Sequence, residues 1–173
     1  MSESAKRLSD TIVSWIGVIA LILGGGFGLC KYNQELKQQK SVQSLKLLDK
    51  YDKNPIFHAR SELLRFSRLP EVQTAFKKKA ASSEFESFLT EAKSGRKYED
   101  YHLGENTFTL LEFYKRVAIC ANHDVCNADL AKLFFAENIF TFMTFYYPYI
   151  QEIKTEMNDA AFDEPITQFI LKS

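Results

Sequence analysis

The chain opens with a long apolar stretch and continues as blocks of helical periodicity. Between Asp10 and Lys31, 20 consecutive residues carry no ionisable side chain except the thiol of Cys30. Because a helix rises about 1.5 Å per residue, roughly 20 residues cross the hydrocarbon layer of a bilayer. The pattern therefore predicts a transmembrane helix over residues 11–30, preceded by a short tail over residues 1–10.

A cleaved signal peptide is the alternative interpretation of this stretch. No small-x-small cleavage pattern follows the apolar run, and Leu29 stands before Cys30 where a lipoprotein signal needs a small residue. We therefore expect an uncleaved anchor in the cell inner membrane. Trp15 and Tyr32 are placed as interfacial anchors near the two headgroup boundaries, where aromatic side chains are enriched.

Three small residues recur at four-residue steps inside the predicted anchor. Ala20, Gly24 and Gly28 share one helix face and allow another helix backbone to approach closely. This face predicts packing in the membrane, either with a second copy or with another membrane protein. The alternative is that glycine is simply common in membrane helices, and the sequence leaves both interpretations open.

After the anchor, the pattern predicts a juxtamembrane helix over residues 31–53 and a helical domain over residues 54–173. The Asn54-Pro55 pair ends the first of these helices and starts the next, because proline lacks the amide donor that a first helical turn leaves free. Further helices are predicted over residues 71–80, 83–92, 106–121 and 166–171, and residues 96–104 are predicted as a polar loop held to the core by Tyr98 and Tyr101.

The spacing of apolar residues also predicts which helix faces are buried, and the side chain of Asn127 is expected to cap the helix that follows it. The predicted inward positions are Ile56, Ala59, Leu63 and Phe66 after the proline; Leu110, Leu111, Tyr114, Val117, Ala118 and Ala121 in the helix over residues 106–121; and Ile166, Phe169 and Ile170 in the terminal helix, which should dock on the core.

The segment from Leu133 to Ile150 carries eight aromatic side chains. Its uncharged part is too short to cross a bilayer, so a buried core helix is expected, with a membrane-surface helix as the alternative. Phe140 and Phe145 are expected to point inward. Pro148 predicts a kink or a helix restart. No strand pattern is found, so the predicted fold class is all-α: one N-terminal transmembrane helix, a helical neck and a small helical bundle.

The charges balance overall but not locally. The chain has 22 basic and 22 acidic residues, which argues against a nucleic-acid partner that needs a cationic surface. Residues 31–68 contain nine basic and four acidic side chains, whereas residues 69–173 contain eleven and sixteen. The lysines after the anchor predict a cytoplasmic C-terminal domain and contact with the lipid bilayer. That location also suits Cys120 and Cys126 as reduced thiols.

The order of these features resembles a known family. The Ala59-Arg60 pair is followed by LLEFYKRVAICANHDVCNADLAKLFF and later by FYYPYIQEI. These segments are similar to a bacterial and prophage-associated family known as domain of unknown function 4760. The resemblance implies a membrane-anchored helical fold and transfers no catalytic residue.

One residue cluster could carry chemistry. Cys120, His123 and Cys126 are spaced C-x2-H-x2-C, and thiolates with imidazole are typical zinc ligands. A fourth ligand is missing, so no metal and no other cofactor is expected, and a Cys–His nucleophilic pair is the enzymatic alternative. No phosphate-binding, metalloprotease or serine-hydrolase motif occurs.

Three functions remain open from the sequence. The first is a non-enzymatic interaction or regulatory module that binds an unidentified protein partner at the cytoplasmic membrane face. The second is a metal-binding protein or enzyme centred on Cys120, His123 and Cys126. The third is a structural subunit that packs through Ala20, Gly24 and Gly28.

Overall fold

Every secondary-structure element that the computed structural model describes is helical. The structure describes the backbone of residues 3–79, 88–92 and 96–172, and the side chains of residues 26–77, 88–92 and 98–172. No strand occurs in these ranges, which confirms the all-α fold class. The elements are α1 (Glu3–Tyr51), α2 (Ile56–Ser67), α3 (Pro70–Lys79), α4 (88–92), a 3₁₀-helix (Arg96–Tyr101), α5 (Leu103–Asn122), α6 (Ala128–Phe145), α7 (Tyr147–Glu156) and α8 (Glu164–Leu171).

The chain divides into two compact units, Met1–Gln39 and Lys40–Ser173. Helix α1 contributes residues to both units. Among the helices as far as they are described, none combines the length and the apolar character that crossing a membrane requires. Residues 11–25 of the predicted anchor lie outside the residues whose side chains the structure describes.

The helix break predicted at Asn54-Pro55 is confirmed. Helix α1 ends at Tyr51, and α2 begins at Ile56, directly after the proline. The backbone N–H of Phe57 donates to the carbonyl of Lys53 at 2.9 Å, so the joint is tight. The apolar face predicted for α2 is buried at Ala59, Leu63 and Phe66.

Helix α5 lies at the centre of the second unit and packs against α2, α6, α7 and α8. Its predicted inward face is buried at Leu110, Leu111, Tyr114, Val117, Ala118 and Ala121. The helix starts at Leu103, earlier than the predicted Asn106. The reason is that the Asn106 side-chain amide donates to the carbonyl of Tyr101 at 2.7 Å and extends the ordered turn towards the N-terminus.

The polar loop predicted for residues 96–104 is wrong, because Arg96–Tyr101 form a 3₁₀-helix and α5 follows directly. Two aromatic contacts hold this segment. The rings of Tyr98 and Tyr101 lie 5.4 and 5.6 Å from the ring of Phe66, both edge-on. The expectation that these tyrosines fasten the segment to the core is therefore confirmed.

The aromatic segment is interrupted near Pro148, as predicted. Helix α6 ends at Phe145 and α7 begins at Tyr147, with the proline in its first turn. A core position is confirmed for Phe135, Phe142, Phe145, Tyr146 and Tyr149, all of them buried. The inward orientation expected for Phe140 is wrong, because its side chain is 58% exposed.

The last helix closes the second unit. Helix α8 packs on α5 and α6 and buries Ile166 and Phe169, which confirms that the C-terminal segment docks on the core. The turn before it is fixed by an ion pair in which Lys154 Nζ lies 2.7 Å from Asp163 Oδ1. Because both side chains are less than one-fifth exposed, this pair is better shielded from water than a surface ion pair.

Candidate functional site

The turn between α5 and α6 contains the cysteine and histidine residues that the sequence offers for zinc or nucleophilic chemistry. Cys120 and Cys126 are joined as a disulfide, with their Cα atoms 5.4 Å apart, within the usual range for such bridges. The backbone N–H groups of Val125 and Cys126 both donate to the Cys120 carbonyl, and they fold the turn back onto its start. The expectation of two reduced thiols is therefore corrected.

The disulfide changes what this turn can do. In the disulfide-bonded form both sulfur atoms are bonded to each other, so in that form neither is a thiolate that could bind zinc or attack a substrate. His123 points into solvent. Within the described part of the chain, no group of three or more His, Cys, Asp or Glu side chains is arranged to hold a metal ion.

The same turn fastens α1 to the bundle. The backbone N–H of Asn127 donates to the carbonyl of Lys40 at 3.2 Å and to the hydroxyl of Ser44 at 3.0 Å. The Asn127 side-chain oxygen accepts from the N–H of Leu130 at 3.1 Å, which confirms the predicted N-cap of α6. Lys40 also forms an ion pair with Asp124. These contacts indicate a structural role for the turn, which holds the end of α1 against the other helices of the second unit.

The residues assigned to membrane contact fall mostly outside the described part. Trp15, Ala20 and Gly24 belong to the residues whose side chains are not described. At Gly28, a Cβ atom would meet no described atom within 4 Å, and Tyr32 is 63% exposed. Gly28 and Tyr32 thus lie on an open helix surface among the described residues of the first unit.

The second unit contains a cleft of about 290 Å³ formed by α2, α5, α6 and the last residue of α1. We call it the Arg60 cleft. Its volume is near the lower end of the roughly 300–1,000 Å³ that is typical of small-molecule sites. The lining residues are Tyr51, Arg60, Leu63, Leu64, Ser67, Leu110, Tyr114, Glu137, Asn138, Thr141, Phe142, Phe145 and Tyr146.

Arg60 is the cation of this cleft. Its guanidinium carbon lies 4.1 Å from the centre of the Tyr51 ring and 5.4 Å from that of Phe57, so both rings can hold the charge by cation–π attraction. Its Nη2 atom lies 3.4 Å from Asp52 Oδ1, at the long end for a hydrogen bond. Only 23% of the Arg60 side chain is exposed, against 62% for Asp52.

Two phenol groups lie beside the guanidinium. The hydroxyls of Tyr51 and Tyr114 are 3.2 Å apart and buried. Burial raises the pKa of the Tyr114 phenol well above its usual value, the neighbouring Tyr51 raises it further, and Arg60 lowers it. Since the field of Arg60 acts on this hydroxyl, the guanidinium and the phenol pair form one polar cluster in an otherwise apolar cleft.

A third tyrosine closes the same cleft. The hydroxyl of Tyr146 donates to the carbonyl of Leu63 at 2.7 Å and so ties α7 to α2. Burial raises the pKa of the Tyr146 phenol well above its usual value, and the nearby Tyr149 raises it further. Tyr146 therefore stays neutral and donates its hydrogen to the fold rather than to a ligand.

A second groove of about 590 Å³ lies between the end of α1 and α5. It carries three cations, two of which are paired: Lys53 Nζ lies 2.6 Å from Asp49 Oδ2, and Arg116 Nη2 lies 3.9 Å from Glu112 Oε2. Both of these bridges are largely exposed, so they and the groove are strongly hydrated. Arg60 is therefore more shielded from water than the cations of the second groove.

The outer face of α6 and the start of α7 carry exposed apolar side chains. Leu133, Phe140 and Tyr147 follow at seven-residue intervals and are 75%, 58% and 56% exposed. We call these three residues the outer stripe. Within α6, the seven-residue step from Leu133 to Phe140 repeats nearly the same helix face and is the spacing of helix–helix seams, and Tyr147 follows in the first turn of α7. The charged residue between the first two is Glu137, which is also exposed.

Sequence reasoning missed the Arg60 cleft. In the sequence, Arg60 stands out only in the Ala59-Arg60 pair of the family resemblance, and Tyr114 only as an inward position of a predicted helix. One signal was available: Arg60 directly follows the buried Ala59, so it had to lie at the edge of an apolar face. The contact of that edge with Tyr114 depends on how α2 packs on α5, which no local pattern specifies.

The family model described as "Domain of unknown function (DUF4760)" matches residues 13–172. This range includes the Arg60 cleft, the cysteine turn and the outer stripe. No curated protein and no solved structure matches the chain.

Proposed function

The chain belongs to the family described as "Domain of unknown function (DUF4760)", and for this member we propose a single-pass, membrane-anchored, non-enzymatic interaction module at the cytoplasmic face of the inner membrane. The observation that carries the proposal is the outer stripe. Leu133, Phe140 and Tyr147 are large apolar side chains that the fold leaves in water, although the same segment buries five other aromatic residues. Large exposed apolar side chains that group on one surface are typical of interaction sites.

The occupant proposed for the stripe is an amphipathic helix of a partner protein. The seven-residue spacing of Leu133 and Phe140 within α6 matches one apolar position per two turns of an opposing helix. Glu137 lies four residues after Leu133 and three before Phe140, so it flanks the seam with a negative charge. A basic residue beside the apolar face of the partner helix would complement it and fix the register.

Photo-crosslinking tests the stripe. Benzoylphenylalanine is introduced at Phe140 or Tyr147 of the full chain in its native host, and the chain is irradiated and purified. The matched control is Phe108, which is 40% exposed and lines the second groove. We expect one adduct of the same mass from Phe140 and Tyr147, and none from Phe108.

Two results would contradict this assignment. An adduct of equal yield from Phe108 would mean that exposed aromatic residues are captured without regard to the stripe. An adduct of twice the mass of the chain would show that a second copy of the chain, rather than a partner protein, covers the stripe.

The anchor is proposed from the sequence of residues 11–30. Its apolar length supports it, as does the absence of ionisable side chains other than the thiol of Cys30. We expect the full chain to stay in the membrane pellet after carbonate extraction. Val18→Arg combined with Ile22→Arg should move it to the supernatant, because each charge at the bilayer centre costs about 2.5–3.5 kcal/mol on insertion scales.

The control for the anchor places the same two charges outside it. Val42 and Leu45 of α1 are 45% and 51% exposed, so arginine at both positions leaves the apolar segment untouched. The Val42→Arg, Leu45→Arg variant should remain in the pellet. Equal solubility of the two double variants would show that residues 11–30 do not anchor the chain.

The cytoplasmic orientation follows from the lysines after the anchor, which act during insertion. In that compartment thiols are kept reduced, so the Cys120–Cys126 bridge would be present only in oxidised protein. A fusion of alkaline phosphatase after Ser173 tests the orientation. Strong phosphatase activity would place the C-terminal unit on the oxidising side instead.

Packing through the anchor is the additional proposal for Ala20, Gly24 and Gly28. Gly24→Ile should weaken association in a membrane two-hybrid reporter, because it blocks close backbone approach, while carbonate extraction stays as in the wild type. An unchanged reporter signal would show that these three residues do not form a packing surface.

A further inference from the structure

We propose that the Arg60 cleft binds a small monocarboxylate whose body is apolar and aromatic. This ligand site contains none of the three residues of the outer stripe, although Glu137 borders both, and it does not depend on the membrane anchor. The polar cluster at Arg60 would hold the carboxylate, and the apolar walls of α5 and α6 would hold the body.

The hydrogen-bond donors of the cluster exceed its acceptors. A guanidinium has five N–H donors, and the hydrogen-bond partner that the described residues give Arg60 is Asp52, at 3.4 Å. The two phenols have two hydroxyl hydrogens, and their contact at 3.2 Å uses one. Among the hydrogen bonds of the described residues, one phenol hydrogen and several guanidinium hydrogens thus have no acceptor and are available to a ligand in the cleft. Such a cluster of donors suits an anionic oxygen.

The charge of the lining limits the ligand to one negative charge. Arg60 is the cation and Glu137 the anion among the lining residues, and Asp52, outside the lining, already lies 3.4 Å from Arg60. A second negative charge on the ligand would gain no further cation and would meet Glu137. A planar carboxylate also matches the fork of the guanidinium, whereas a dianionic phosphate would need more positive charge.

The apolar lining of the Arg60 cleft determines which uncharged body the ligand can have. Leu63, Leu110 and Phe142 are at most 5% exposed and form the apolar floor. The Tyr114 ring packs edge-on against Phe142 with 5.3 Å between ring centres. Aromatic rings arranged in this way favour another ring, and the volume of about 290 Å³ admits a single-ring acid rather than a long acyl chain.

The probe is 3-phenylpropionate, measured by isothermal titration calorimetry on the full chain in phosphatidylcholine nanodiscs. Empty nanodiscs correct for partitioning into lipid. The neutral analogue 3-phenylpropanol has the same body without the charge. We expect saturable binding of the acid, at least about tenfold tighter than of the alcohol, the order of a charge-assisted hydrogen bond.

Three variants locate the site. Arg60→Gln removes the cation and should weaken the binding of 3-phenylpropionate at least about tenfold. Thr141→Trp fills the cleft from its exposed rim without removing a buried side chain, and should abolish binding of both probes. Arg116→Gln, which removes the arginine of the second groove, should leave both affinities unchanged.

Loss of binding in Arg60→Gln and Thr141→Trp with retention in Arg116→Gln supports the proposal. Retained binding in Thr141→Trp places the acid elsewhere and overturns it. Unchanged affinity in Arg60→Gln, equal affinity for acid and alcohol, or no saturable binding overturns the carboxylate assignment. Should Arg60→Gln fail to fold, the comparison of acid with alcohol and the Thr141→Trp variant decide the question.

Discussion

The two faces of the aromatic segment meet opposite environments. On the inner face, the Phe145 ring lies 4.8 Å from that of Phe76 and 4.9 Å from that of Tyr146. On the outer face, Phe140 and Leu133 are more than half exposed. Residues of the same hydrophobic character thus have different roles, because the rotation of α6 against α5, rather than composition, determines which of them lose contact with water.

Because the two faces differ in burial, substitutions on them can separate effects on stability from effects on partner binding. Burial of a large apolar side chain contributes to folding in proportion to the area removed from water. A side chain that stays exposed contributes little to folding, and an additional partner can still cover it. Substitutions on the inner face should therefore change the free energy of unfolding, and those on the outer face should change binding.

The largest expected effect is that of Phe145→Ala. Removing this 7%-exposed ring leaves a cavity beside Phe76 and should lower the free energy of unfolding by about 3–5 kcal/mol. The matched change on the outer face, Phe140→Ala, should cost less than about 1 kcal/mol. Urea titration of the full chain in mild detergent, followed by near-ultraviolet circular dichroism, measures both. Equal losses would mean that the two faces are not distinct.

The adjacent tyrosines at the break between α6 and α7 provide the next test. Tyr146→Phe removes one of the hydrogen bonds that the Leu63 carbonyl accepts, at a cost of about 0.5–1.5 kcal/mol. Tyr147→Phe removes a hydroxyl from a side chain that is 56% exposed, and should change stability by less than about 0.5 kcal/mol. A shift of the urea midpoint in Tyr147→Phe as large as in Tyr146→Phe would contradict the assignment of the hydrogen bond.

Because Tyr146 is buried on the inner face, the free energy of unfolding should also fall at alkaline pH. Burial raises the pKa of Tyr146 in the folded chain above its unfolded value near 10, so between these two values the folded state holds the proton and the unfolded state has lost it. The contribution of Tyr146 is complete below pH 10 and is lost as the pH rises towards the folded pKa, by up to about 1.4 kcal/mol per pH unit. Urea titrations from pH 9 to 12 should give a shallower fall for Tyr146→Phe than for the wild type.

The sequence predicted the helices well because local signals specify them. Proline at 55 and at 148 marked two breaks, and the side chain of Asn127 marked the start of α6, since a cap or a missing amide acts within one turn. For residues 96–104 the sequence predicted the role of Tyr98 and Tyr101 but not the 3₁₀-helix, because the polar residues between them gave no helical pattern and the contacts with Phe66 are tertiary.

The candidate sites were harder to predict than the helices. The C-x2-H-x2-C spacing suggested a metal, but a spacing does not specify whether two sulfur atoms will meet each other, and Cys120 and Cys126 do. The Arg60 cleft requires residues from four helices, and their meeting depends on tertiary packing. Likewise, the low charge of the aromatic segment could not distinguish Phe140 from Phe145, because both lie in the same uncharged run.

The smallest expected effect on stability is that of Leu133→Gln, which sharpens the comparison with one residue type. Leu133 is 75% exposed, so glutamine changes little buried area, and leucine and glutamine have similar helix propensities. The free energy of unfolding should change by less than about 0.5 kcal/mol, whereas Leu111→Gln, at a fully buried leucine, should unfold the unit or cost several kcal/mol. In the crosslinking assay, Leu133→Gln should nevertheless reduce the adduct formed at Tyr147, because the partner helix loses one of its three apolar contacts. A stable Leu133→Gln chain with undiminished adduct would show that Leu133 is ordinary exposed surface and would leave the stripe with only two members.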